Sequence, residues 1–104
     1  NTGCTLNPPS NLAATTSGPS FRRVVVLTWT DNSVCETAYE VERAIQNSNA
    51  TWSSYGVISG NLSPNSVSYT DGTVSRGQRC RYRVRAFNGA TASGYSSTAE
   101  LKVP

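Results

Sequence analysis

Residues 79–87 read Arg-Cys-Arg-Tyr-Arg-Val-Arg-Ala-Phe, with an arginine at every second position and Cys80, Tyr82, Val84 and Ala86 between and after them. A strand sends successive side chains to opposite faces, so this stretch separates its two sets only as a β-strand with one dry face and one wet face. A helix would wind the arginines through the apolar residues. The same period recurs elsewhere. In 22–30, Val25, Leu27 and Trp29 share a face. In 37–45, Tyr39 and Val41 point in while Glu40 and Glu42 point out. In 95–103, Ala99, Leu101 and Val103 face in. Nothing repeats at helical spacing for two turns.

Shorter strand candidates lie at 11–17, 52–58 and 66–70. The first follows Pro8-Pro9 and suits a sheet edge. Turn signals separate the strands: Gly18-Pro19, Asp31-Asn32-Ser33, Gly60-Asn61, Asp71-Gly72, Arg76-Gly77 and Asn88-Gly89. Seven short, regularly punctuated strands in 104 residues predict one all-β antiparallel sandwich.

Composition narrows the chemistry. Histidine is absent, which excludes a Ser-His triad, an imidazole metal site and a histidine base. Charged residues make up only 14%, and 27 of the 104 positions are Ser or Thr, which take their place. No apolar run approaches the roughly 20 residues of a membrane span, the longest being 24–27, so no membrane insertion is expected. No basic-then-apolar leader opens the sequence, so any signal peptide lies outside it. Three cysteines, abundant Ser/Thr and the sequons at Asn49 and Asn61, both candidate glycosylation sites, point to an extracellular chain, secreted or on a cell surface.

Five motifs in order then carry a resemblance: Val25-x-Leu27-x-Trp29-Thr30, Tyr39-x-Val41-x-Arg43, Tyr69-Thr70-Asp71, Tyr82-Arg83-Val84-Arg85-Ala86-Phe87-Asn88, and Tyr95-Ser96. Together they resemble a fibronectin type III domain over 8–104, with 1–7 as an N-terminal arm. The resemblance implies a seven-stranded antiparallel immunoglobulin-like β-sandwich, with sheets A-B-E and G-F-C-C′, Trp29 in the core of strand B, and Tyr39 and Val41 lining the other sheet. One departure stands out. The family opens strand F with a tyrosine whose hydroxyl pins the E–F corner; Cys80 occupies that position, so the corner must be held another way.

On that topology Cys4 and Cys35 share one pole and Cys80 belongs to the other. Disulfide geometry then predicts a Cys4–Cys35 bridge, worth roughly 3–4 kcal/mol as an upper figure for a loop of about thirty residues. Cys80 is expected to be a free, buried and inert thiol, the sharper alternative being an intermolecular bridge in an assembled fibre.

Arg79, Arg81, Arg83 and Arg85 form the most conspicuous surface feature. Strands C and G offer Glu40, Glu42 and Glu100 across the ladder, which predicts a salt-bridge lattice. The competing reading is a ligand surface for carbohydrate or an anionic polymer, joined by the exposed aromatics Trp52, Tyr55 and Tyr95. No aromatic residue is expected to interleave with the arginines, which disfavours nucleic acid. Asp31 and Asp71 sit in turns, where they serve the backbone. The four glutamates are assigned to sheet faces. With no phosphate loop, CxxC pair or calcium loop, the sequence predicts no enzyme and no cofactor. The 88–94 loop carries no Arg-Gly-Asp triplet. The expected role is a non-enzymatic extracellular structural or adhesion module that spaces, presents or joins other domains or copies of itself, including as a self-assembling surface or fibre subunit.

Overall fold

The computed structural model describes residues 6–19 and 21–104. Its elements are β1 (Ser10–Ser17), β2 (Val24–Thr30), β3 (Ala38–Ile45), β4 (Gly56–Val57), β5 (Ser68–Asp71), β6 (Arg79–Asn88), β7 (Thr91–Ala92) and β8 (Ala99–Lys102). Two antiparallel sheets result. One has the order β1-β2-β5; the other runs β4-β3-β6, with β7 and β8 both paired to the far edge of β6. These are the expected A-B-E and G-F-C-C′ sheets. The eighth element arises because strand G is broken: β7 meets Phe87 and Asn88, while β8 meets Arg79 to Tyr82.

The inward faces predicted by alternation close into one core. Val25, Leu27 and Trp29 from β2 meet Tyr39 and Val41 from β3, and Cys80, Tyr82, Val84 and Ala86 from β6, with Val103 beside them. The Trp29 and Tyr39 rings cross between the sheets at 5.9 Å and 47°, a tilted contact that serves two large rings without a face-to-face clash. Ala99 and Leu101 are only half-buried, since β8 lies at the sheet margin. Burial of each large apolar side chain in this set contributes about 1.5–3 kcal/mol.

The predicted turn signals fall between strands or at their ends, with Asp71 and Asn88 still the last residues of β5 and β6. Gly18 shows why its position needs glycine: φ is 89°, and a Cβ would sit 2.6 Å from the Arg22 carbonyl oxygen. Asp31 accepts the Ser33 N–H at 3.0 Å and the Tyr39 hydroxyl. Of the expected arm, residues 1–5 lie outside the described residues. Leu6 packs on the core, and Asn7 is tied to Ser33 and Asn32 by three hydrogen bonds.

One glutamate placement differs from expectation, and another is more buried than its outer-face position suggests. Glu36 is on no sheet face; it lies in the β2–β3 connection, buried, where one carboxylate oxygen accepts the Asn65 N–H at 2.9 Å. Glu42 is on the outer face of β3, yet only 6% exposed. The cause lies in what covers it.

The vacant tyrosine corner is also answered. Two residues beyond Cys80, the buried Tyr82 hydroxyl donates to Asp71 Oδ2 at 2.8 Å. Arg43 Nη1 donates to the same oxygen at 2.7 Å, while the Thr73 N–H and hydroxyl take Oδ1 at 3.0 and 2.6 Å. Burial alone would raise the Asp71 pKa, but the bonds from Thr73, Tyr82 and Arg43 outweigh it and hold the carboxylate below its ordinary value. Tyr82 moves the other way, driven up chiefly by burial. A buried carboxylate with four donors pins the β5–β6 connection where the family uses a single phenol.

Candidate functional site: the arginine–aromatic face

The outer face of β6 carries the four arginines, and the register places carboxylates beside them. Glu40 pairs with Arg85, Glu42 with Arg83, and Glu100 with Arg81. Arg79 and Arg81 share Glu100 at 3.1 and 3.0 Å, with all three side chains 36–42% exposed. The bond from Arg81, aided by Arg79, lowers the Glu100 pKa. Arg83 is held more tightly. Its Nε and Nη2 reach Glu42 Oε1 at 2.8 and 2.7 Å, and the Tyr95 hydroxyl donates to Oε2 at 2.9 Å. Burial and that bond both raise the Tyr95 pKa. Arg85 lies 3.7 and 3.8 Å from Glu40 and Glu42, outside hydrogen-bond length, and its buried Nε has no partner.

Contrary to expectation, aromatic rings do interleave with the arginines. The Arg81 guanidinium stacks on Trp52 at 4.0 Å. Arg83 is held between Tyr55 at 3.9 Å and Tyr95 at 3.7 Å. Arg85 lies near Tyr95 at 4.7 Å and Phe87 at 4.8 Å. Trp52, Tyr55 and Tyr95, expected as exposed, are half-buried by these contacts. The rings come from the flanking connections, not from β6, apart from Phe87; a strand-by-strand pattern therefore misses them.

Serines put those rings in place. Beside Tyr95, Ser96 N–H donates to the Val84 carbonyl at 2.8 Å, and its hydroxyl accepts the Val84 N–H at 3.1 Å. Ser93 does the same with Ala86, at 2.8 and 2.9 Å. On the opposite edge, Ser53 pairs this way with Ile45 at 2.9 Å in both directions, and the Ser59 hydroxyl accepts the Val41 N–H at 2.9 Å. All four hydroxyls donate in turn to the carbonyl of the next residue. Each serine lets the chain leave the ladder without stranding a sheet N–H, which would otherwise cost about 1–3 kcal/mol. At Ser53 and Ser96 the neighbouring aromatic, Trp52 or Tyr95, is thereby turned onto the outer face. This explains why the 52–58 candidate pairs as strand only at Gly56–Val57.

Chemically the face is a lattice of ion pairs, filled at Arg79, Arg81 and Arg83 and loose at Arg85. It holds four arginines against Glu40, Glu42 and Glu100, so most of its positive charge is answered in place. No group of three or more His, Cys, Asp or Glu able to hold a metal occurs among the described residues. An open depression of about 630 Å³ is lined by Arg76, Gly77, Lys102, Val103 and Pro104, none of which has a carboxylate side chain. Cys80 carries a free thiol with no exposure, its pKa raised by burial. The predicted Cys4–Cys35 bridge has one end, Cys4, outside the described residues. Asn49 and Asn61 are both exposed. The Asn49 Oδ1 accepts from the Thr51 hydroxyl at 2.7 Å.

No family model and no curated protein sequence matches the chain. Solved structures do. An Fn3-like protein from Clostridium thermocellum is 26% identical with a TM-score of 0.72, over 97% of this chain and 94% of that one. A β-1,2-glucanase from Parabacteroides distasonis is 21% identical with a TM-score of 0.69, over 96% of this chain but 13% of its own. A titin structure containing the kinase and its flanking domains is 21% identical with a TM-score of 0.71, over 97% and 18%. With both sheets, their order and the β2–β3–β6 core in agreement with that likeness, the chain has a fibronectin type III-like fold.

Proposed function

We propose that the chain is a non-enzymatic extracellular module that spaces, presents or joins other protein domains or copies of itself. One observation supports the modular part of this reading. The same fold makes up almost the whole of one similar protein and a small part of two much larger, unrelated chains. A fold that recurs in such different settings is a portable unit, and its function lies in what it is attached to. The molecule measures 48 × 28 × 21 Å, so inserted between two domains it would hold them about one long axis apart. Small-angle scattering of the chain fused between two reporter proteins tests this. A narrow distance distribution near one module length supports it, and a broad distribution typical of a flexible linker of equal length contradicts it.

A second reading, a module for carbohydrate or anionic polymer, draws its support from Arg85. Of the four arginines it alone has no carboxylate within hydrogen-bond length. That reading requires saturable binding of an acidic polysaccharide at physiological salt.

A further inference from the structure

The two sheets have four edges, and they are not treated alike. Both edges of the larger sheet are interrupted: β4 is two residues long, and the β7–β8 edge is broken, with Ser53, Ser59, Ser93 and Ser96 taking up the sheet's N–H groups. In the smaller sheet, β5 is four residues long and ends in the buried Asp71. The remaining edge is β1, with eight residues, Ser-Asn-Leu-Ala-Ala-Thr-Thr-Ser, and no charge or proline. Its register is irregular only between Ser10 and Ala13, leaving Ala13–Ser17 regular against β2. Among the described residues no backbone hydrogen bond outside the β1–β2 ladder involves 12–17. Charged residues, proline, shortness and bulges are the usual means of blunting an edge strand; β1 has only the irregularity between Ser10 and Ala13, which leaves 13–17 unprotected.

We propose that the free edge of β1 pairs antiparallel with β1 of a second copy, joining two three-stranded sheets into one of six. The segment is self-complementary. A two-fold axis at Thr15 sets Thr15 opposite Thr15, Ala14 opposite Thr16, and Ala13 opposite Ser17. Every pair is small and uncharged, and Thr–Thr pairs across strands are favourable. The outward residues Ala13, Thr15 and Ser17 are exposed in the single chain, while Ala14 and Thr16 are half-buried. The contact is short, so the dimer is weak and concentration-dependent.

This pairing rests on the joining role proposed above in one respect only; a spacer needs no second copy, so the two fail separately. The test is sedimentation velocity from dilute to millimolar protein, on chains shown by non-reducing electrophoresis to carry no intermolecular disulfide. The wild-type mass should rise from 11.1 kDa toward twice that value. Thr15→Lys and Thr15→Glu should each remain monomeric, because like charges meet on the axis. An equimolar mixture of the two should recover the dimer, and Thr15→Val should behave as wild type. A wild type that stays monomeric throughout overturns the proposal. So does a dimer that both charged variants retain, or a mixture that fails to recover it.

Discussion

The Arg43–Asp71–Tyr82 and Arg83–Glu42–Tyr95 clusters use the same three kinds of side chain, with a guanidinium and a phenol donating to one carboxylate. They lie on opposite faces of the larger sheet and do different work. Inside, Asp71 has nothing but protein around it, so its four donors replace water and fix the β5–β6 connection. Outside, Glu42 is covered only by the arginine and rings stacked over it, and a change there can be repaired by solvent. Burial of the surroundings, more than the identity of the residues, decides whether such a triad is an anchor or a cladding.

Removing each carboxylate measures that difference. Asp71→Ala leaves Arg43 and Tyr82 facing a buried gap, with an expected loss of about 3–5 kcal/mol in denaturant unfolding. Glu42→Ala frees Arg83, which keeps its two rings, and should cost about 1–2 kcal/mol. Equal losses would erase the distinction. At the bottom of the scale, Arg79→Ala breaks an exposed pair and should change stability by about 0–1 kcal/mol.

Acid separates the clusters further. The folded Asp71 pKa is depressed, so its contribution is present above the ordinary value near 3.8 and is lost as pH falls through the folded value. Wild type should therefore lose stability on acidification below about pH 4 more steeply than Asp71→Asn. Tyr82 and Tyr39, raised by burial, give the opposite limb. Their contribution is complete below about pH 10 and declines above it, as unfolded tyrosines ionise and the folded ones do not. Parallel acid limbs for the two proteins would show that Asp71 is not the titrating anchor.

Thiol labelling gives a smaller effect. With Cys80 buried, a chain bridged Cys4–Cys35 as the sequence predicts should take up no alkylating reagent in the native state. Denatured without reductant it should take up one equivalent. Three equivalents under those conditions would dismiss the bridge.

How much of this was legible follows from where the partners lie in the chain. Tyr82, Val84 and Ala86 were readable because their contrast with the arginines is local. So were Trp29 and Tyr39. The carboxylates opposite the arginines also followed once strands C, F and G were adjacent. The rings did not, since Trp52 and Tyr55 come from one connection and Tyr95 from another. A signal was nonetheless present: each sits next to a serine, Trp52-Ser53, Ser54-Tyr55 and Tyr95-Ser96, and two of those serines hold the ladder. The burial of Glu36 had no such sign, because it depends on a loop almost thirty residues away. Asp71 reads from the sequence as a turn residue, and its bond from the Thr73 N–H fits that; its second task needs Arg43 and Tyr82 brought to it from the other sheet.

The central claim is that the arginine face is a filled structural lattice in a spacing module. Titration with polygalacturonate, at low and then physiological salt, tests it most directly. The account predicts only weak association at low salt, erased at physiological salt by screening over about 8 Å. Saturable binding that persists at physiological salt, and disappears in the Arg81→Ala/Arg83→Ala double variant while the fold is retained, would contradict it.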